Sequence, residues 1–354
     1  MVGLDSENSI KIASTSIPND WLFAPSTYLI DSWTPYVEEI CLPSVATETG
    51  HLEFRYQEDA SAELSLTNKK IVFKISSFLR CFFLKPEYIK GQVILDLREY
   101  SPGNLSHALM IHLPIALCAK EYLISIDQGC PLLIFPAALP EYIYKIYIEI
   151  GFDVFRTDNK VIGRVCDFDL TSVVSLRGIL VDVIQGSLEN SDFSEKLRNR
   201  SKNLPNKIFI SRKDTRCLIN EGEVERMLSS YGYQKIYMED YDILDQLAMV
   251  SLSDNIVAIH GAALGPLVFR SLFNSKQLKF VEIFSPGHMA NVYRVLVNQL
   301  NGRWVGVRGK LWPKIIAQAY DFPKEIHKFA YADFEICLLS LEKALSALDS
   351  PSEG

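Results

Sequence analysis

Apolar and polar positions divide the chain into two stretches of different regularity. In the first, 70–75 and 93–97 carry β-branched and apolar runs that predict strands. Positions 105–121 read as a helix, 131–135 as a buried strand, and 142–150 as a helix that Gly151 stops. Short strands are expected at Val154, 161–165 and 173–176, completing an α/β domain. A charged helix over 186–205, closed by Pro205, links it to the second stretch. There, strands at 207–211, 234–238, 255–260, 279–284 and 304–307 alternate with helices at 222–231, 243–251, 262–269 and 289–300. Strands alternating with helices of about ten residues imply βαβ units and a parallel sheet. A last helix, about 331–348, has an apolar side and is expected to pack back on the N-terminal domain. The first 50 residues are turn-rich, with Trp21, Trp33 and Tyr36 inserted, and are expected to wrap the first domain. The expected division is therefore 1–185, 186–330 and 331–354.

Composition narrows the class. With 354 residues, 48% hydrophobic and 22% charged, the chain is neither disordered nor a disulfide mini-protein. A net charge of −7 disfavours a general nucleic-acid partner, because phosphate binding needs a basic surface. The charge is uneven, however. Residues 1–60 hold ten acids and two bases, whereas 196–216 hold eight bases and one acid. That basic run is either a solvated helix and loop or a pocket for a compact anion. The longest apolar candidate, 108–119, is broken by His112 and Pro114 and is too short for about 30 Å of hydrocarbon. The opening residues lack the basic-then-apolar order of a signal peptide. Seven scattered cysteines without C-x-x-C spacing read as reduced core residues of a cytoplasmic protein.

Common catalytic signatures are absent: no G-x-G-x-x-G, P-loop, H-E-x-x-H or G-x-S-x-G. What remains is polar chemistry at strand ends, where open α/β sheets bind ligands. Ser211-Arg212-Lys213-Asp214-Thr215-Arg216 follows a strand, and two arginines there suit phosphate oxygens. Asn220 and Glu221 open the next helix, Asn220 being either a ligand group or an N-cap. His260-Gly261-Ala262-Ala263 forms a strand-to-helix turn almost without side chains, where backbone N–H groups can meet a phosphate. Glu282, at the end of an apolar strand, is either a carboxylate for two ribose hydroxyls or an N-cap or surface charge, and is placed near the ribose. Two D-x-D matches, Asp167-Phe168-Asp169 and Asp240-Tyr241-Asp242, raise the question of a metal. Asp242 with Asp245 instead fits a capped, acidic first helical turn. No metal or other cofactor is expected. Residues 77–90 mix Phe78, Phe82 and Phe83 with basic residues, as a membrane-surface contact or as an interior strand and turn.

Taken together, KIFISRKDTRCLINEGEVERML, DQLAMVSLSDNIVAIHGAALGPLVF and FVEIF resemble the family 61 glycosyltransferases, over about residues 100–300. Asn104 and His107, followed by Leu113-Pro114, resemble that family's N-x-x-H…LP segment. Many members carry an acid four positions after the histidine. Here that position is Ile111, and His112 is expected to face elsewhere on the helix. The resemblance implies a GT-B-like architecture, two Rossmann-like domains across a cleft, with the donor on the C-terminal one. It implies an inverting transfer from a nucleotide-diphosphate sugar to a glycan or polyprenyl-linked acceptor in capsular polysaccharide biosynthesis, at the inner face of the membrane. Arg212, Arg216, Asn220, His260, Gly261, Ala262, Ala263 and Glu282 then fall on the donor side and Asn104 on the acceptor side. His107 leads as general base, with Glu221 and His260 as rivals. A non-catalytic sugar-nucleotide- or polysaccharide-binding protein is the alternative.

Overall fold

The computed structural model describes residues 8–25, 37–62, 86–200, 204–273, 276–311 and 331–350. The expected strand at 70–75, residues 77–85, Trp33 and Tyr36 lie outside them. The chain divides into two compact units, Met1–Ser14 with Glu48–Glu195 and Thr15–Thr47 with Lys196–Gly354.

The first unit holds a six-stranded mixed sheet of β1 (Ser9–Ile12), β6 (Gly50–Ala62), β7 (Glu87–Asp96), β8 (Leu132–Phe135), β9 (Asp153–Arg156) and β10 (Val161–Leu170). Its order is β1-β6-β10-β7-β8-β9. The pairs joining β10, β7, β8 and β9 are parallel, whereas β6 runs antiparallel to β10 and β1. Helical residues Leu105–Ser125 form α1, which continues through a π-turn at Ala108–His112. At 21 residues and mean hydropathy 1.3, α1 is long and apolar enough to span a bilayer, contrary to the expectation from the shorter run. Because 72% of its apolar window is buried within the protein, it is a core helix. Helix α2 (Glu141–Ile150) ends as expected at Gly151, whose φ of 98° suits a residue without Cβ.

Two expectations fail here for local reasons. Residues 173–176 form no strand: Ser172 accepts from Ser175 and bonds the Val174 N–H, winding a 3-10 turn at Ser175–Gly178. The single helix over 186–205 is two, α3 (Leu180–Leu188) and α4 (Asp192–Arg200), because Ser191 Oγ takes the Ser194 N–H and starts a new helix.

The second unit is built on β11 (Lys207–Ser211), β12 (Gln234–Tyr237), β13 (Asn255–Ile259), β14 (Lys279–Phe284) and β15 (Arg303–Arg308). Between them run α5 (Glu221–Ser230), α6 (Ile243–Leu252), a 3-10 helix Ala262–Leu272 and α7 (Val292–Gln299). Strands β11, β13 and β14 are buried almost throughout, as expected when helices cover both faces of a parallel sheet.

Only part of the early segment stays with the first unit, as β1, whereas Thr15–Thr47 belongs to the second. Strands β3 (Asp20–Pro25) and β4 (Val37–Leu42) extend the second unit's sheet, giving the order β12-β11-β13-β14-β15-β3-β4. β3 lies parallel to β15, with Trp21 opposite Val305, and β4 closes the edge antiparallel. Arg294 of α7 locks them in place through Asp20 Oδ2 at 2.7 Å and the Pro18 carbonyl at 2.7 Å. The short pair β2 (Ser16–Ile17) and β5 (Val45–Ala46) flanks them. The last helix, α8 (Leu338–Asp349), packs on β15, β3, β14 and α5 of this same unit.

Candidate functional site

Strand β11 is followed by β12 on one side and β13 on the other. The order β12-β11-β13-β14-β15 therefore reverses direction at β11/β13. At such a switch point the two outgoing connections diverge and leave a crevice beyond the carboxyl ends. The residues emerging there are Ser211-Arg212 from β11 and His260-Gly261 from β13.

These two turns meet. Arg212 Nε donates to the Thr215 carbonyl at 2.8 Å, so its own loop folds round the guanidinium. Its Nη1 reaches the His260 carbonyl at 3.4 Å. A Cβ placed on Gly261 would stand 2.0 Å from Arg212 Nη1 and 3.6 Å from Arg216 Nη2. Both guanidinium groups thus crowd one bare peptide. The backbone of Gly261 is extended, with φ 166°, so the glycine is demanded by the neighbouring cation and not by conformation. Arg216 reaches the site from a left-handed backbone, φ 58°. Its Nε is buried without a hydrogen-bond partner. Burial, reinforced by the charge of Arg212, pushes its pKa below the usual arginine value. Among the described residues neither arginine forms an ion pair. Two half-buried cations facing each other without an acid make a site that attracts an anion.

The turn is anchored from behind. Tyr293 of α7 donates its hydroxyl to the Gly261 carbonyl at 2.9 Å, and the Leu264 N–H does so at 3.1 Å. The 3-10 helix starts at Ala262, so the first N–H groups lack helical partners and carry positive partial charge toward the crevice. His260 is buried, its ring stacked on Phe284 with centroids 5.3 Å apart. Its Nδ1–H donates to Glu282 Oε1 at 2.5 Å, and Trp304 Nε1–H donates to Glu282 Oε2 at 2.7 Å. Glu282 has 0% of its surface exposed. It pairs with Ala258 and Gly306 inside the sheet, two residues before β14 ends. The expected ribose contact gives way to another task, because the carboxylate is spent on orienting His260.

Three other expected residues also take supporting places. Glu221 accepts from Ser211 Oγ and from the Tyr237 hydroxyl at 2.8 Å, with Lys235 Nζ at 3.5 Å. Burial alone would raise its pKa, but these hydrogen bonds and the lysine hold it below the ordinary carboxylate value. A carboxylate so stabilised is a poor proton acceptor, and it serves to fix the end of β11. Asn220 neither caps α5 nor faces the crevice: Nδ2 donates to the Ile336 carbonyl at 2.9 Å and Oδ1 accepts its N–H at 3.2 Å. Asn104 caps α1, accepting from the Ser106 and His107 N–H groups at 3.0 and 3.3 Å. Of the D-x-D acids, Asp242 caps α6 at Leu244 N–H as expected, and Asp240 pairs with Lys213 at 2.5 Å.

In the first unit His107 is exposed, with Nδ1 3.0 Å from the Tyr100 carbonyl. A carbonyl only accepts, so Nδ1 carries the proton and the neutral ring keeps its lone pair on Nε2. Tyr100 and Ser101 both have φ of 56°, a costly backbone that turns this carbonyl toward α1. His112 is 1% exposed and neither ring nitrogen makes a hydrogen bond. Its pKa is pushed down to about 3 by burial, against the pull of the Tyr100 carbonyl and with the His107 charge adding to the fall. Unfolding restores an ordinary histidine near pH 6.5, so between about pH 6.5 and 3 the unfolded chain binds the extra proton. Stability is therefore expected to fall as the pH is lowered across that window, by at most about 1.4 kcal/mol per pH unit from this group. His112→Leu should flatten that slope in denaturation series at pH 7, 5.5 and 4.5. An unchanged slope would assign the acid sensitivity to other groups.

Residues 109–276 match the family model described as Glycosyltransferase 61. The chain carries a glycosyltransferase 61 domain. The matched stretch contains the whole Arg212–Arg216–Gly261 cluster and begins just after His107. No curated protein matches the chain. Among the residues supporting the glycosyltransferase site, Tyr293, Trp304 and Tyr237 have no signature in the sequence. Each is an aromatic residue whose importance arises only from contacts across distant segments.

Proposed function

We propose that this glycosyltransferase takes a nucleoside-diphosphate sugar, grips its diphosphate between Arg212, Arg216 and the Gly261–Ala263 turn, and transfers the sugar with inversion. The observation carrying the reading is the convergence of two unpaired guanidinium groups on one side-chain-free peptide at a sheet switch point. In the reaction the acceptor hydroxyl gives its proton to His107 Nε2 as its oxygen bonds to the anomeric carbon. The bond from that carbon to the phosphate oxygen breaks, and the electron pair leaves on the diphosphate. The arginines and the helix start stabilise the charge that accumulates there. That cationic set suits a metal-independent enzyme. We assign the two units to a GT-B-like division of labour, with the donor on the second unit and the base on the first. The acceptor is a glycan or lipid-linked glycan of a surface polysaccharide such as a capsule, elongated on the cytoplasmic face.

Screening nucleotide sugars for thermal stabilisation tests the donor, since a ligand bound at 100 times its Kd adds about 2.7 kcal/mol. A panel that leaves the melting point unmoved would count against the diphosphate site. With the donor in hand, His107→Ala should lower kcat by about 10²–10⁴ with little change in donor affinity. A kcat within a few-fold of wild type would remove His107 as the base.

A further inference from the structure

We infer that Tyr331 is the stacking platform for the donor's nucleobase, an inference that rests on the diphosphate reading above. The segment 331–336 lies outside the stretch matched by the family model and forms a wall beside the loop that carries Arg216. Its backbone is stitched to that loop at successive points. Arg216 N–H donates to the Tyr331 carbonyl at 3.2 Å, Phe334 N–H to Cys217 at 3.0 Å, and Ile219 N–H to Phe334 at 2.8 Å. The Cys217 N–H is taken by Asp333 Oδ1 at 2.9 Å, and Asn220 brackets Ile336 from both sides. Phe334 and Ile336 are each 1% exposed and anchor the wall in the core.

On this fixed backbone the Tyr331 ring remains 59% exposed. A large aromatic surface held rigid and left open stacks a planar partner at low entropic cost. Its position names the partner. The ring centroid is 5.6 Å from Arg216 Cζ, so the platform adjoins the cation that grips the diphosphate. A nucleobase is separated from its phosphates by a single ribose, and aromatic surface one side chain away from the phosphate grip lies within its reach. Stacking on an aromatic ring tolerates any base, since every base has a π-face. Tyr331 therefore contributes affinity for the nucleoside without choosing among bases.

Calorimetric titration of the full chain with inorganic pyrophosphate and with UDP, GDP and CDP separates the two parts of the site. Wild type should bind at least one nucleoside diphosphate more tightly than pyrophosphate. Tyr331→Ala should weaken that nucleoside diphosphate about tenfold or more and leave pyrophosphate unchanged, and Tyr331→Phe should keep wild-type affinity for both. Undiminished nucleoside diphosphate binding by Tyr331→Ala overturns the proposal. So does an equal loss for pyrophosphate, which would make the ring a prop for Arg216, or a loss confined to the complete nucleotide sugar, which would place the sugar on the ring. If wild type binds neither ligand while its circular dichroism is native, the diphosphate reading itself has failed and the platform falls with it.

Discussion

Arg212→Ala is expected to cut sugar transfer by about 10²–10³-fold, the scale seen when one preorganised charge-stabilising donor is removed. The reason is geometric. Arg212 is held by Thr215 and the His260 carbonyl so that Nη1 sits over Gly261, and in the proposed reaction the charge of the departing diphosphate builds beside that atom. Gly261→Ala should reproduce most of the defect without touching an arginine. The added methyl would fall 2.0 Å from Nη1, and since the extended backbone accepts alanine, the flexible side-chain end is what moves. Steady-state rates and melting curves of both variants decide the matter. A near-normal rate in Arg212→Ala, or a Gly261→Ala protein that loses stability and not rate, would remove the cluster from the reaction.

The largest stability effect is expected at Glu282. Truncation to alanine strips the partner from His260 Nδ1 and Trp304 Nε1 in the middle of a buried sheet, at a cost of about 3–5 kcal/mol. Glutamine should be intermediate. The site presents two donors, a glutamine offers one acceptor oxygen, and the donor left unmatched costs about 1–3 kcal/mol. Denaturation midpoints of Glu282→Ala and Glu282→Gln test the ordering. If Glu282→Ala melted like wild type and lost only donor affinity, the carboxylate would be a ligand group after all.

What the sequence made legible follows from how locally each feature is encoded. Strands β11, β13 and β14 are apolar nearly end to end, and their alternation with helices was enough to place Arg212 and His260 at strand ends. The pairing of β3 with β15 was not readable, because no local pattern names a partner so far along the chain. Glu282 misled for a related reason: the strand's end was legible, but the two donors that take up its carboxylate, His260 and Trp304, come from other segments of the sheet. The π-turn in α1 leaves no mark in composition, and only the structure shows it at Ala108–His112. Asn220 and Glu221 read as ligand groups because the segment 331–336 and Tyr237, which occupy them, come from elsewhere in the chain.

The interleaving of the two units has a consequence for biosynthesis. Strands β3 and β4 leave the ribosome long before β15, the strand whose edge they complete. Until β15 is made, they present an unpaired edge that invites wrong partners. Cutting the gene near residue 196 would therefore not yield a clean C-terminal module, since the fragment would lack two strands of its own sheet. A fragment meant to carry the arginine cluster has to bring residues 15–47 with it, supplied as a fused or co-expressed peptide.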